Sequence, residues 1–386
     1  MPVPESEVEH LFFPASRIRQ VFPIQGQKQA EQQHSEQAAP FPWILSPALD
    51  LLLCCGGMVW IIGLTQFFVV DLLLPQFSAN FAIAILACSH LFAESHIAAT
   101  WFRIYSEPKN TRSYSIALIG PSLVLLLCFA GLSNYSFTAF MCKIYTIWVA
   151  HHFTSQTYGI TLLYCIKNGC SIDAADKFVL RLMMNSVAAV AVTRQLTDDS
   201  WAVNQFIGVE LPKWSFVPPS SFVIAVLILQ VSVCIFAVRT FSKVLKGRKC
   251  LPVPAMLMIL TIVATFTAGN ELFAELRNYL PAYFHASQYL AITGAAFLMK
   301  GESAKHLPPN RKWLAFTKKE AVAYFAKLFI CSGITFLLLP ALLSLCVSAK
   351  EQAFAAVFCA VNLHHFISDM LIWKLRNPAV QNSLVR

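Results

Sequence analysis

Charge is what this sequence has least of. Only 13% of its 386 residues are Asp, Glu, Lys or Arg, about half the share of an ordinary soluble domain. That shortage disfavours soluble enzymes, disordered chains and nucleic-acid binders together. A net charge of +9 does not restore a nucleic-acid partner, because 29 basic residues are few for this length. No C-x-x-C pair occurs among the twelve cysteines, which argues against zinc ribbons and iron–sulfur clusters. Most of the cysteines fall in apolar runs and read as small packing groups. The chain opens with no secretory signal pattern, and no internal repeat is evident.

Apolar residues are what the chain has instead. They make up 57% of it, Phe alone contributes 31, and the mean hydropathy is +0.59. A helix needs about 20 mainly apolar residues to cross the hydrocarbon core. Ten runs meet that length, at roughly 48–72, 78–103, 113–132, 135–165, 177–195, 217–239, 252–272, 280–300, 321–347 and 352–374. The expected fold is therefore all-α: a polytopic membrane bundle of about ten transmembrane helices within residues 45–375. A polar N-terminal tail, 1–44, and a short C-terminal tail, 376–386, flank it. Lys and Arg test this count, because they collect in cytoplasmic loops. One loop holds Arg239, Lys243, Lys246, Arg248 and Lys249, and another holds Lys300, Lys305, Arg311, Lys312, Lys318 and Lys319. The alternate loops hold only Arg194, Lys213, Arg277 and Lys350. This asymmetry predicts both termini in the cytoplasm, in a bacterial inner membrane or a eukaryotic endomembrane. The lipid bilayer is then the first partner, and the basic loops face its anionic headgroups.

Ionisable residues inside apolar runs are costly unless paired or ligated, so they mark function. Seven of the ten histidines lie there: His90, His96, His151, His152, His285, His364 and His365. They fall on the second, fourth, eighth and tenth runs, which share one direction in a ten-span chain. One buried histidine on a membrane helix is ordinarily a hydrogen-bonded packing residue. Seven, with polar partners one turn away, are hard to explain as packing. His90 has Glu94 at i+4, His152 has Gln156, and His365 has Asp369; His285 has Gln288 at i+3 and Tyr289 at i+4. Residues so spaced share a helix face, about 5–6 Å apart, which suits two ligands of one metal or a ligand and its supporting partner. His96 sits about 120° round the helix from His90 and is less clearly aligned with it. The expected ligands are the seven histidines with Glu94 and Asp369, supported by Gln156, Gln288 and Tyr289. Asp50, after Ser46-Pro47, reads as a helix-start residue. Asn270, Glu271 and Glu275 read as a solvated loop edge, and His34 and His306 as surface residues. Lys143 is ambiguous in the sequence, and a stem reaching for the interface is one reading of it.

Imidazole with carboxylate suits non-haem iron, copper, zinc or manganese. Seven histidines exceed the three ligands of a zinc hydrolase and favour a two-metal or multi-histidine centre that activates O₂. A site at membrane depth suits a hydrophobic small-molecule substrate arriving from the lipid, oxidised by hydroxylation, desaturation or cleavage, with an electron-donor protein as partner. Phe92, Trp101, Trp148, Phe153, Tyr158, Phe284, Phe366 and Trp373 flank the histidines and can line a channel or simply pack. The alternatives are a bis-histidine haem electron carrier and a proton- or metal-coupled transporter.

The segment LHHFISD, with His365 and Asp369, resembles the terminal His-x-x-x-Asp element of the bacterial β-carotene-cleaving dioxygenases (Brp/Blh-like). The density of membrane histidines is similar in kind to that of the fatty-acid desaturases and hydroxylases, although no H-x-x-H-H box occurs here. Both resemblances rest on short motifs. They imply a histidine-rich integral-membrane oxygenase that uses iron and a lipid or isoprenoid substrate.

Overall fold

The computed structural model describes residues 43–106, 115–170, 172–197, 203–247, 250–267, 279–300 and 319–372. Nearly all of the N-terminal tail and the whole C-terminal tail lie outside these, as do His34, His306, Asn270, Glu271, Glu275 and Trp373. The described chain is helical almost throughout, with one small hairpin of β1 (Gln205–Phe206) and β2 (Val209–Glu210). In order come α1 (Pro47–Cys54), α2 (Gly57–Asp71), α3 (Ser78–Ser106), α4 (Ser115–Ser133), α5 (Tyr135–Lys167) and α6 (Ala174–Leu196). Then follow α7 (Ser220–Leu245), α8 (Val253–Thr267), α9 (Leu280–Lys300), α10 (Lys319–Cys346) and α11 (Lys350–Ile372). Each predicted run is helical where described, and the first is a broken pair.

Fewer of these helices qualify as membrane spans than the ten expected. Among the described residues, α7, α10 and Lys350–Leu371 are long and apolar enough to cross a bilayer, and α1 with α2 makes a fourth if that bent pair counts as one. The reason is composition and length. α3, α5, α6 and α9 carry buried Ser, Thr, Gln, Lys or His side chains that lower their apolar average. Ile119–Ser133 and Val253–Thr267 are apolar but short. α7 presents Val223, Leu227, Val231, Val238 and Phe241 outward, and α10 presents Ile330, Leu337 and Leu342. Exposed apolar faces of this extent mark contact with lipid or with another apolar surface.

Buried backbone at the α1–α2 break must find partners, since nothing else satisfies it in an apolar interior. The two helices meet at 60° through Cys55 and Gly56, whose φ of 88° is a left-handed value that glycine adopts without a Cβ penalty. A Cβ there would also collide with Thr261. Three carbonyls exposed by the break are taken up by side chains of α8 and α9. Ser287 Oγ donates to the Leu53 carbonyl at 2.9 Å, Gln288 Nε2 to Cys54 at 2.9 Å and Thr261 Oγ1 to Cys55 at 3.0 Å. Asp50 is the helix-start residue expected, and it is fully buried. Its carboxylate accepts from the Ile44 and Leu45 N–H groups and from the Tyr164 hydroxyl, at 2.7, 2.9 and 2.7 Å.

Elsewhere the helices close on one another by small contacts. α11 packs on α4, α5 and α3, while α3 packs on α9 and α10. Four helices, α3, α5, α9 and α11, thus surround a common interior. Buried hydroxyls on α5 satisfy themselves within the helix: Thr154, Thr157 and Thr161 donate to carbonyls one turn back. Lys143 does not reach an interface; it is buried, with Nζ 3.4 Å from Gln195 Oε1. At the start of α6, Asp173 caps Asp176 N–H at 2.7 Å. That N–H, ahead of Lys243 and Arg239, holds the Asp173 carboxyl below its ordinary range. Arg239 and Lys243 of α7 each bridge to both Asp173 and Asp176. None of the twelve cysteines is in a disulfide. Six are buried, as the packing role predicts, while Cys88, Cys234 and Cys346 are exposed on helices. Cys142 of α5 and Cys359 of α11 touch at 3.4 Å.

Candidate metal centre

The four inner helices each place one histidine in the common interior. His96 of α3, His152 of α5, His285 of α9 and His365 of α11 are all buried. Each offers a ring nitrogen, and the four nitrogens lie within 4.8 Å of one another. The rings form a closed circuit, with centroids 4.6 Å apart for His96–His365, 5.0 Å for His365–His152, 4.6 Å for His152–His285 and 4.8 Å for His285–His96. At the heart of it, His96 Nε2 is 2.9 Å from His365 Nε2 and 3.2 Å from His285 Nε2. With metal–nitrogen bonds of about 2.1 Å, neighbouring ligands of one ion stand about 3.0–3.4 Å apart and opposite ligands about 4.2 Å apart. The four nitrogens match that spacing to within a small side-chain adjustment.

Proton placement sharpens the fit. His96 Nδ1 meets the Ala93 carbonyl, which can only accept, so the proton is on Nδ1 and Nε2 carries a lone pair. His365 Nδ1 lies 3.0 Å from Thr100 Oγ1. The single Thr100 proton also has Asp369 Oδ1 at 3.1 Å and Tyr289 at 2.5 Å within reach. His365 Nε2 faces the lone pair of His96 Nε2 at 2.9 Å, so either a proton on His365 Nε2 or a cation shared by the two fills that contact. His152 Nε2 is buried and makes no hydrogen bond, and a buried polar atom in that state is costly unless something binds it. The donor set and its geometry therefore fit a metal ion.

Around the nitrogens a supporting layer fixes each ring. Asp369 Oδ1 accepts from Tyr289 at 2.9 Å as well as from Thr100, and those two hydroxyls are 2.5 Å apart. The other oxygen, Oδ2, is 3.5 Å from His365 Nε2 and 3.9 Å from His152 Nε2, close enough to serve as a fifth ligand. Gln156 Nε2 donates to the His285 carbonyl at 2.8 Å and to Gln288 Oε1 at 3.2 Å. Gln288 in turn holds the α1–α2 break, so that break and the His285 turn are tied together. Phe366 stacks on His152 at 4.3 Å and Phe153 on His285 at 4.4 Å, which keeps water from two sides.

Of the nine residues expected as ligands, the structure gathers four histidines with Asp369 beside them. His151 is exposed and points out of the bundle. His364 is buried against α4, its Nε2 3.3 Å from Ser368 Oγ. Glu94 is buried but outside the four-nitrogen group, and the side chain of His90 lies outside the described residues. On α3 the helix turns the His96 face, not the Glu94 face, toward the centre. Gln156, Gln288 and Tyr289 hold backbone and carboxylate. Sequence reasoning missed Thr100, whose signal was present: it stands one turn after His96, on the same face.

A cavity of about 190 Å³ adjoins the centre and is bounded there by His152, Gln156, Tyr289 and Asp369. Among the described residues its wall contains none of the aromatics that could line a channel or pack. Trp148, Phe153 and Phe366 pack on the histidines or on each other instead. Gly120 of α4 is what admits His364, since a Cβ at that position would overlap the imidazole. Gly120→Ala is expected to cost about 1–3 kcal/mol through overpacking. The measurement is thermal unfolding in detergent, where an unchanged midpoint would contradict the close approach. Comparison of the chain with models of protein families, with curated proteins and with solved structures finds no match.

Proposed function

We propose that the protein is an integral-membrane, metal-dependent oxidoreductase that uses O₂ to hydroxylate, desaturate or cleave a lipid-soluble substrate. The observation that carries this reading is the buried ring of four histidines, in which His96 Nε2 and His365 Nε2 stand 2.9 Å apart. We take the metal to be a single non-haem iron held by His96, His152, His285 and His365, with Asp369 Oδ2 as a further ligand. Nitrogens at 2.9 and 3.2 Å leave no gap for a porphyrin between axial rings, which weighs against haem. Four histidines and a carboxylate also exceed the three ligands of a catalytic zinc site. The broken α1–α2 pair is the feature a transporter would use, but its carbonyls are already occupied by Ser287, Gln288 and Thr261 and are not offered to an ion.

The chain's own residues have separable tasks in this reading. When bound, the iron supplies O₂ activation and one-electron chemistry. The four imidazoles hold it, and Thr100 and Tyr289 orient His365 and Asp369. Phe153 and Phe366 exclude water, and the cavity beside His152 and Asp369 receives the substrate. We further propose about ten spans with both termini cytoplasmic, so that an electron-donor protein docks on the basic face. The chain then stands in the broad class of histidine-rich membrane oxygenases that LHHFISD resembles. The test is O₂ uptake by iron-loaded protein in nanodiscs made from native lipid extract, with a chemical reductant and mass analysis of the lipids. Expected are reductant-dependent uptake and lipids that have gained oxygen or lost two hydrogens. Colourless protein that binds iron yet turns over no O₂ with any lipid fraction would count against an oxygenase. A Soret band would point to haem instead.

A further inference from the structure

The cavity beside the histidines is longer than a metal centre needs. On α5 it follows His152, Ser155, Gln156, Gly159, Ile160 and Leu163, a three-and-four spacing that keeps to one helix face. At 1.5 Å per residue that stripe runs about 16 Å away from the centre. A volume of about 190 Å³ drawn out over that length is a narrow slot, not a round chamber. The facing wall is Tyr289 and Ile292 of α9 with Asp369 and Met370 of α11. Ser155 and Met370 are exposed whereas Ile160, Leu163 and Ile292 are buried. The slot therefore opens beside His152, about halfway along α5, and closes among apolar side chains. Its polar groups sit at the mouth, next to the metal centre, and its far end has none.

Gly159 sits in the floor of this slot. A glycine inside a helix costs about 1 kcal/mol relative to alanine, so a buried-face glycine needs a reason. Among the described residues no atom lies within 4 Å of where its Cβ would stand, so no described helix requires the small residue. What a side chain there would occupy is the slot itself.

We infer that the slot seats a linear alkyl or prenyl chain drawn from the bilayer, and that Gly159 sets the width at its middle and so selects which chains reach their full depth. The inference rests on the proposed function for what happens at the mouth, but the slot is testable without it. The probe is a long-chain fatty alcohol with a terminal diazirine, photolysed with the full-length protein in nanodiscs and mapped by peptide mass spectrometry. Label is expected on the α5 segment around Gly159–Leu163 and should be displaced by excess unlabelled fatty alcohol. Gly159→Leu should reduce that label about tenfold, while Gly159→Ala leaves most of it. Bound metal should be unchanged in both variants, and neither should unfold at a lower temperature than the wild type. Undiminished label in Gly159→Leu, or wild-type label confined to the outer faces of α7 and α10, would overturn the slot. Slot labelling of a protein that binds no metal would leave the slot standing and remove the proposed function, and the converse holds for metal without slot label.

Discussion

His96→Ala is expected to strip the protein of metal, weakening binding by more than about 100-fold, because losing a ligand costs more than the 10–100-fold of losing a supporting partner. The residue supplies the nitrogen nearest to two others, at 2.9 and 3.2 Å, so its loss opens the ring of four. His152→Ala and His365→Ala should behave alike. The adjacent residues make the sharper comparison. His151 is exposed, and His364 packs against Gly120 and Ser368, so His151→Ala and His364→Ala should retain metal. Metal content of protein purified under limiting iron, normalised to helix content by circular dichroism, reads the difference. Equal losses at both members of a pair would contradict the assignment, since neighbours on a helix are about 100° apart and cannot face one centre alike.

Thr100→Val should weaken metal binding by about 10–100-fold with little change in fold. Valine keeps the shape but removes the hydroxyl that joins His365 Nδ1 to Asp369 Oδ1. His365 Nδ1 then loses that partner, and Asp369 Oδ1 keeps only the Tyr289 hydroxyl. A buried group left in that state costs about 1–3 kcal/mol. Thr100→Ser should restore binding, whereas a purely structural role for the methyl group would leave the serine variant impaired. Combined with Tyr289→Phe the effect should be non-additive, because both hydroxyls serve the same carboxylate oxygen. A metal titration on the four proteins decides it.

The sequence made the helices legible because apolar runs of this length have few alternatives. It also identified four of the five residues at the centre as strong candidates, through histidines with polar residues one turn on. What it left open was rotation about each helix. His151 and His152 look alike in a string, as do His364 and His365, and only packing decides which member faces inward. On α11 the deciding contact is Gly120, a residue on another helix that makes room for His364. On α3 the Glu94 partner drew attention to His90, while the useful pair was His96 with Thr100. Span count was the other uncertain quantity. A helix whose buried face is polar, such as α5 with its threonines and His152, loses apolar average for the same reason that it contributes to the candidate site.

The central claim is that four imidazoles share one ion. X-ray absorption at the iron edge of the purified, iron-loaded protein tests it most directly. About one iron per chain is expected, with coordinating nitrogen and oxygen near 2.0–2.2 Å and more distant scattering from about four imidazole rings. Iron surrounded by oxygen or sulfur without imidazole scattering, or no stoichiometric iron, copper, zinc or manganese in wild-type protein, would contradict it.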